Sequence, residues 1–339
     1  MQIRTPVNAN LYLTHYCNLG CSFCCYRPFQ KGNNKDLSTE QWLKIIDELS
    51  DLRVFQIRIP GGEPFVREDL LKILEHIALR NMRFTLNTNG TLMSEQDARF
   101  IASLNRADEI RLSVDGMEEK HDEIRGAGNW KRTINAIKFL KKYAVKVHIT
   151  MVLTTSNYQD CIKTCHFLFD DLQVNSLQIN SVSDGFSEIS PEQGKVSDEV
   201  YARIMKEVIM LKKIYPQITS SFLDMYRQIT NPVNREDCRR CTTPWKGVTV
   251  RADGAIIACP SAVNHILGWC GKDSIRDVWY NSQTMTDFRQ EICTGYELPE
   301  KECVNCQYQW YCRQACPPSI HRGAVRCRKK LLNLLNDIL

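Results

Sequence analysis

The stretch Cys17-Asn18-Leu19-Gly20-Cys21-Ser22-Phe23-Cys24 decides how this chain of 339 residues is interpreted. It follows the apolar run Leu11-Tyr12-Leu13, which predicts a strand leading into it. Its three cysteines have the spacing C-x3-C-x2-C. Thiolates are soft ligands that select iron–sulfur centres, so three of them can hold three irons of a [4Fe–4S] cube and leave the fourth iron open to a small molecule. A zinc knuckle or a redox pair is the alternative for the triplet alone.

The composition predicts a globular chain with room for two domains. A net charge of +5 without a Lys/Arg-rich run does not favour a nucleic-acid partner. The segment Met1–Pro6 lacks the features of a signal peptide, and no apolar stretch is long enough to span a membrane. In such a chain sixteen cysteines indicate metal binding rather than disulfides, and the cytoplasm is the predicted location.

The first two-thirds of the chain alternates short β-rich runs with helical patterns, which predicts parallel βαβ units. The first predicted helix begins at a capping box, Ser38-Thr39-Glu40-Gln41. In folds of this type the chemistry lies at the carboxyl ends of the strands. The predicted strands are Asn10–His15, Val54–Ile59, Arg83–Leu86, Ile110–Val114, Val145–Leu153 and Ser176–Ile179.

Three short segments follow predicted strands and carry candidate binding residues. Gly61-Gly62-Glu63-Pro64 follows the second strand, Asn87-Thr88-Asn89-Gly90 the third, and Ser113-Val114-Asp115-Gly116 ends the fourth. Glycines allow the backbone to approach a ligand closely, and a carboxylate accepts hydrogen bonds from a cation. Each segment taken alone is also an ordinary turn.

The cysteine pattern changes after residue 236, where most of the sixteen cysteines lie. The spacing C-x12-G-x4-C surrounds a predicted β-hairpin, Val248–Arg251 and Ala255–Ala258, whose turn is Asp253-Gly254. The spacing C-x2-C-x5-C-x3-C and one last cysteine follow. The cysteines of these patterns are Cys241, Cys259, Cys303, Cys306, Cys312, Cys316 and Cys327.

Together these motifs resemble those of the radical S-adenosylmethionine (radical SAM) superfamily, and the seven-cysteine order resembles its C-terminal SPASM domain. The resemblance covers essentially the whole chain. It implies an α/β fold in which a partial (β/α)6 barrel occupies residues 1–215. A linker at 216–236 and a small cysteine-rich domain with a β-hairpin and auxiliary clusters at 237–339 would follow.

The resemblance also implies the chemistry. A [4Fe–4S] cluster on Cys17, Cys21 and Cys24 would bind SAM, and an electron from it would cleave SAM to methionine and a 5′-deoxyadenosyl radical that abstracts a substrate hydrogen. A surface role for Arg125 and turn formation by Asn87 and Asn89 remain alternatives. The residues that would contact SAM are Phe23, Gly61, Gly62, Glu63, Asn87, Ser113, Asp115 and Arg125, with Asn89 near the same cavity.

By the same resemblance, two auxiliary clusters are expected, with zinc as the alternative metal. Among the other cysteines, Cys161 and Cys165 share a predicted helix face that favours core packing, whereas Cys270 is a candidate hydrogen-atom donor. The first auxiliary cluster would be held by Cys241, Cys259, Cys316 and Cys238, and the second by Cys303, Cys306, Cys312 and Cys327.

Relatives with this architecture modify ribosomal peptides, mature sulfatases, or oxidise and epimerise aminoglycoside-like molecules. Sulfatase-maturing relatives carry an aspartate after the hairpin cysteine, where this chain has Pro260, so that activity is disfavoured. A peptide substrate is expected, to be crosslinked, oxidised or epimerised. A small-molecule dehydrogenase or epimerase is the alternative, and a non-catalytic scaffold or redox sensor is the alternative of another class.

The expected partners are a flavodoxin- or ferredoxin-type electron donor and a separate leader-peptide-binding protein. The second expectation arises because the first predicted strand starts too early in this chain for a leader-binding domain before it. The early start of the first predicted strand also favours a small-molecule substrate.

Overall fold

The computed structural model describes residues 5–24, 26, 35–182, 194–230, 241–262, 265–294, 303, 305–306 and 327–336. Ten strands in this part of the chain form one sheet. The strands are β1 Asn8–Leu11, β2 Gln56–Ile59, β3 Arg83–Thr88, β4 Ala107–Ser113, β5 Val147–Leu153, β6 Ser176–Ser181, β7 Ile218–Thr219, β8 Gly247–Val250, β9 Ala255–Ile257 and β10 Ile266–Trp269.

Helices connect most of these strands. A short 3-10 turn, Pro64–Val66, precedes the second helix, and the sixth is flanked by a 3-10 turn, Tyr158–Asp160, and a π turn, Phe167–Asp171. The α-helices are α1 Thr39–Asp51, α2 Leu70–Leu79, α3 Glu95–Ser103, α4 Glu118–Arg125, α5 Asn129–Lys142, α6 Cys161–His166, α7 Asp198–Ile214, α8 Ser221–Thr230, α9 Thr243–Lys246, α10 Ile275–Asn281, α11 Gln283–Thr294 and α12 Arg328–Asn336.

The sheet has the order β10-β9-β8-β1-β2-β3-β4-β5-β6-β7. Strands β1 to β7 are mutually parallel, so their carboxyl ends lie along one edge of the sheet. The sheet does not close, because β10 and β7 are its two ends. The predicted α/β fold with an open, partial barrel is therefore confirmed.

The hairpin β8–β9 continues the barrel sheet, which the sequence did not predict. Strand β8 pairs with β1 in parallel, with Ala9 opposite Val248. A Cβ on Gly247 would lie 2.3 Å from Oδ1 of Asn8, so glycine permits this close pairing. The strand that precedes the first cysteine motif and the hairpin between Cys241 and Cys259 thus belong to one sheet.

Local sequence signals set several helix starts correctly. Ser38 forms the predicted capping box with Gln41 at the start of α1, and Ser94 forms one with Asp97 at the start of α3. The inward face of α1 includes Trp42, which is fully buried against the sheet. The hydrophobic core therefore lies between the sheet and its covering helices.

Several strand bounds shift by two or three residues, and two further differences change an element. The first strand is Asn8–Leu11 rather than Asn10–His15, because the chain leaves the sheet after Leu11 although Tyr12 and Leu13 stay buried. Within the predicted linker 216–236, β7 adds to the sheet and α8 follows it, while residues 231–236 lie outside the described part of the chain. The boundaries of the two domains stay a prediction.

Among the helices of the described ranges, none combines the length and the apolar character needed to cross a membrane.

Candidate active site at the carboxyl ends of the strands

The three cysteines of the opening motif lie in the loop that follows β1. Cys21 is buried, whereas Cys17 and Cys24 are partly exposed. A turn closes the loop, since the Cys24 amide donates to the Cys21 carbonyl at 3.2 Å. The loop therefore presents its thiols at the same edge of the sheet as the segments that follow β2, β3 and β4.

Donors approach two of these sulfurs. The Leu19 amide lies 3.4 Å and Asn89 Nδ2 3.9 Å from Cys17 Sγ, and Arg125 Nη1 lies 3.8 Å from Cys21 Sγ. Burial raises the pKa of both thiols, so iron binding rather than exposure to water would keep them ionised. Donors of this kind stabilise charged sulfur, so the residues present fit a thiolate-bound iron–sulfur cluster.

The described residues contain no three Cys, His, Asp or Glu side chains that converge as the ligands of a single metal ion would. A [4Fe–4S] cluster does not need three ligands that converge on one point, because each thiolate binds a different iron atom.

Glu63 ties the loop after β2 to the loop after β3. It is 1% exposed, and its Oε1 accepts from Thr88 Oγ1 at 2.6 Å and from the Phe65 amide at 3.1 Å. Its Oε2 accepts from the Asn89 amide at 2.6 Å. Burial raises the pKa of Glu63, while these hydrogen bonds favour its charged form. The carboxylate thus holds Asn89 in place beside Cys17.

Gly62 lets the segment after β2 pack against the backbone that leads into the cysteine loop. The Glu63 amide donates to the Tyr16 carbonyl at 2.8 Å. A Cβ on Gly62 would lie 2.0 Å from that carbonyl oxygen, closer than any side chain is found to approach. Only glycine fits at this position without moving the backbone of the loop.

We therefore expect Gly62→Ala to lower the free energy of unfolding by about 1–3 kcal/mol, the usual effect of overpacking. It should also reduce the iron bound per chain, because Tyr16 precedes Cys17 directly. Urea unfolding and iron analysis measure the two effects. Gly194→Ala is the matched control, since among the described residues its Cβ would come within 4 Å only of Val182 Cγ2, at 3.8 Å. Equal stability of the two variants would contradict the predicted clash.

Asp115 and Arg125 form a buried ion pair beside the cysteine loop. Arg125 Nε donates to Asp115 Oδ2 at 2.5 Å, and the two side chains are 10% and 0% exposed. The other carboxylate oxygen accepts from the Val152 amide at 2.8 Å. The Arg125 guanidinium lies 5.7 Å from the centre of the Phe23 ring. Asp115 therefore fixes the position of a cation next to Cys21.

His121, on α4, supports this arrangement as a neutral side chain. It is fully buried, and its Nδ1 accepts from the Asp115 amide at 3.4 Å. Burial, with a smaller contribution from the Arg125 cation, lowers the pKa of His121 to about 4. The ring is thus unprotonated at neutral pH.

This pKa predicts how stability depends on pH. The unfolded chain binds a proton at His121 near pH 6.5 and the folded chain only near pH 4, so the contribution of His121 is complete above 6.5 and is lost as the pH falls toward 4. At about 1.4 kcal/mol per pKa unit, the loss reaches about 3 kcal/mol. Urea unfolding across this range should show a flatter profile for His121→Gln than for the wild type. Parallel profiles would contradict a buried, neutral His121.

A small, largely apolar pocket lies between the residues that lead into the cysteine loop and the hairpin β8–β9. The Tyr26 hydroxyl donates to the Tyr12 hydroxyl at 2.6 Å, and the two ring centres are 5.3 Å apart. The Arg251 guanidinium is paired with Asp253. The pocket therefore lies where the two cysteine-containing parts of the chain meet, and its polar groups bond to one another or to neighbouring side chains. Its lining residues are Tyr12, Thr14, His15, Tyr26, Arg251, Ile257 and Pro260.

Two other predicted SAM contacts lie at the carboxyl ends of the strands and differ in their exposure. Ser113 is half-buried at the end of β4, and Asn87 is exposed on β3. Contact of these residues, and of Phe23, Gly61, Gly62, Glu63, Asp115 and Arg125, with SAM stays a prediction.

Cys270 follows β10 at the edge of the sheet. Its amide donates to the Gly254 carbonyl at 2.8 Å, and burial raises the pKa of its thiol to about 12. Three strand spacings, about 14 Å, separate β10 from β1 in the sheet. Hydrogen donation by Cys270 stays a prediction.

The second cysteine region is described in part. Cys259 is buried just after β9, and Cys241 is half-buried just before α9. The Cys306 amide donates to the Cys303 carbonyl at 3.2 Å, and Cys327 precedes α12. The assignment of these five cysteines to two auxiliary clusters stays a prediction. Three further predicted ligands, Cys238, Cys312 and Cys316, lie outside the described residues.

Sequence reasoning missed several residues of this site. Thr88 donates to Glu63, and Asn18 accepts from Asn89 Nδ2 at 2.9 Å. Both lie inside quoted motifs, but only the fold shows which of their neighbours they contact. Tyr12 and Arg251 were also missed, because Tyr12 belongs to an apolar run and Arg251 follows β8, 239 residues later in the chain.

Comparison with known families agrees with this geometry. Residues 11–168 match the radical SAM superfamily, and residues 238–307 match SPASM, an iron–sulfur cluster-binding domain. The first match contains the cysteine loop and the segments around Glu63, Asn89, Asp115 and Arg125. The second contains the hairpin and the cysteines that flank it.

Among curated proteins, the chain is similar to two from Bacillus subtilis (strain 168). It is 27% identical to the sporulation killing factor maturation protein SkfB over 53% of this chain and 45% of that protein. It is 26% identical to the antilisterial bacteriocin subtilosin biosynthesis protein AlbA over 75% of this chain and 55% of that protein. The chain thus spans about half the length of these relatives.

Among solved structures, Streptococcus suis SuiB bound to the precursor peptide SuiA superposes with a TM-score of 0.74. The match covers 93% of this chain and 73% of SuiB at 19% identity, a likeness that concerns the fold.

Proposed function

Because the chain belongs to the radical SAM superfamily and carries a SPASM domain, we propose that it is an enzyme that modifies a ribosomally made peptide. One observation carries this function. The cysteine loop, the Glu63 carboxylate and the Arg125 guanidinium all lie at the carboxyl ends of the parallel strands, where Asn89 links Glu63 to Cys17 and Arg125 lies beside Cys21. The relatives are a sporulation killing factor maturation protein and a bacteriocin biosynthesis protein, which supports a peptide as the substrate class.

Cys17, Cys21 and Cys24 would hold a [4Fe–4S] cluster, and the SPASM cysteines would hold the auxiliary clusters. When bound, the first cluster supplies the electron that cleaves SAM to the 5′-deoxyadenosyl radical, which takes a hydrogen atom from the substrate. The electron would come from a flavodoxin- or ferredoxin-type donor. A separate leader-binding protein and a cytoplasmic location stay predictions.

The residues of this chain would orient the reactants. Glu63 and Asn89 hold the loops that border the cysteines, and Arg125 offers a cation to the carboxylate of SAM. A substrate would approach from the side of the hairpin, where Tyr12 and Tyr26 line the small pocket. Holding a substrate C–H bond close to the radical supplies much of the selectivity.

The test is 5′-deoxyadenosine formation by protein reconstituted with iron and sulfide under anaerobic conditions. The protein is supplied with SAM, a one-electron reductant and host lysate divided at a few kilodaltons. Stimulation by the heavier, protease-sensitive fraction is the expected result, and the mass of the modified peptide then separates crosslinking, oxidation and epimerisation. Stimulation by the lighter, protease-resistant fraction would overturn the peptide substrate in favour of a sugar-type molecule.

A further inference from the structure

The Arg125 guanidinium lies between a carboxylate, an aromatic ring and a cysteine sulfur. Its Nε donates to Asp115, its Nη1 lies 3.8 Å from Cys21 Sγ, and its Cζ lies 5.7 Å from the centre of the Phe23 ring. The side chain is 10% exposed, so water screens its charge weakly. A permanent positive charge therefore sits beside one ligand of the proposed cluster.

Several contacts keep this charge in place. Arg125 ends α4, and its carbonyl accepts from Asn129 Nδ2 at 2.7 Å. Asp122, on the same helix, accepts from the Gly128 and Trp130 amides at 2.6 and 2.7 Å. The end of α4 is thus tied to the start of α5, and Asp115 holds the guanidinium from the other side.

Such a charge acts on the reduction of a cluster. Reduction adds one electron, and the extra negative charge spreads over the irons and the thiolate sulfurs. Net charge and hydrogen bonds to the sulfurs are among the factors that set the reduction potential. A cation at Cys21 favours the reduced form, whereas the Asp115 carboxylate opposes it with a smaller effect at Cys21. A charged donor acts more strongly than the neutral Asn89 amide at Cys17.

We propose that Arg125 raises the reduction potential of the cluster on Cys17, Cys21 and Cys24, and that Asp115 both positions Arg125 and limits its effect. This rests on the proposed function, since it requires that cluster. The step is the transfer of one electron from the flavodoxin- or ferredoxin-type donor to the cluster, in which no covalent bond forms or breaks.

The test is a redox titration of the reconstituted protein, followed by electron paramagnetic resonance in the absence of SAM. The signal of interest is the one that Cys24→Ala protein lacks. With Arg125→Gln, we expect the ratio of reduced to oxidised cluster at a fixed potential to fall about tenfold, which is about 59 mV for a one-electron couple. Arg125→Lys keeps the charge and should lie between this variant and the wild type. Asp115→Asn should shift the ratio in the opposite direction.

Lys120→Gln is the matched control, because it removes a positive charge from the same helix, where Lys120 pairs with Glu123 at the surface. It should leave the midpoint unchanged. An unchanged midpoint in Arg125→Gln protein with full iron content would overturn the inference, as would shifts of Arg125→Gln and Asp115→Asn in the same direction. If Arg125→Gln protein does not bind the cluster, the midpoint potentials of the Arg125→Lys and Asp115→Asn proteins decide whether Arg125 raises the reduction potential. Wild-type protein that binds no such cluster would refute the proposed function instead.

Discussion

Cys24→Ala protein is expected to form no 5′-deoxyadenosine above the rate measured without protein. Cys24 closes the turn with Cys21, and its loss would remove one of three thiolate ligands from the proposed cluster. The auxiliary clusters should remain, because their candidate ligands lie after residue 236. Iron analysis of the reconstituted variant should therefore show about four fewer irons per chain than the wild type, in which three clusters would hold about twelve.

Cys161→Ala is the matched control for this variant. Cys161 is buried on α6 next to Cys165, where both side chains pack in the core as the sequence predicted. Its replacement removes a thiol without touching the cysteine loop, so SAM cleavage and iron content should be retained. Cleavage of SAM by Cys24→Ala protein at the wild-type rate would refute the assignment of the site.

The loop that carries Cys24 could be identified from sequence because its chemistry is local. Three thiols within eight residues must lie close together in any fold, and the glycines after β2 are needed for a close approach of two loops. Likewise, the capping boxes at Ser38 and Ser94 involve residues only three positions apart, so a short pattern predicts them.

Contacts between distant parts of the chain could not be predicted in this way. The pairing of β8 with β1 joins residues about 240 positions apart, and neither strand carries a signal for its partner. The role of Asp115 is a second example. The motif around it suggested contact with SAM, but its carboxylate is fully buried and accepts hydrogen bonds from Arg125 and the Val152 amide. Only the packing of α4 and β5 around β4 produces that arrangement.

We expect Asp115→Ala to lower the free energy of unfolding by about 3–5 kcal/mol, the usual cost of leaving one partner of a buried ion pair alone. Arg125 would keep its charge in a site that is 10% exposed, and the Val152 amide would lose its acceptor. Urea unfolding at neutral pH measures the loss. The same variant should bind less iron, because the freed guanidinium no longer has a fixed position beside Cys21.

A surface ion pair on α4 is the control that separates the effect of burial from the effect of losing an ion-pair partner. Lys120 and Glu123 are 33% and 48% exposed, and their Nζ and Oε2 atoms lie 2.9 Å apart. Glu123→Ala should change the free energy of unfolding by no more than about 0.5 kcal/mol, because water screens an exposed pair. The difference between the two variants then measures what desolvation adds to the Asp115–Arg125 pair. If Asp115→Ala and Glu123→Ala lost the same free energy of unfolding, Arg125 would have found water or another acceptor in place of Asp115. The Asp115 carboxylate would then not hold the cation in place.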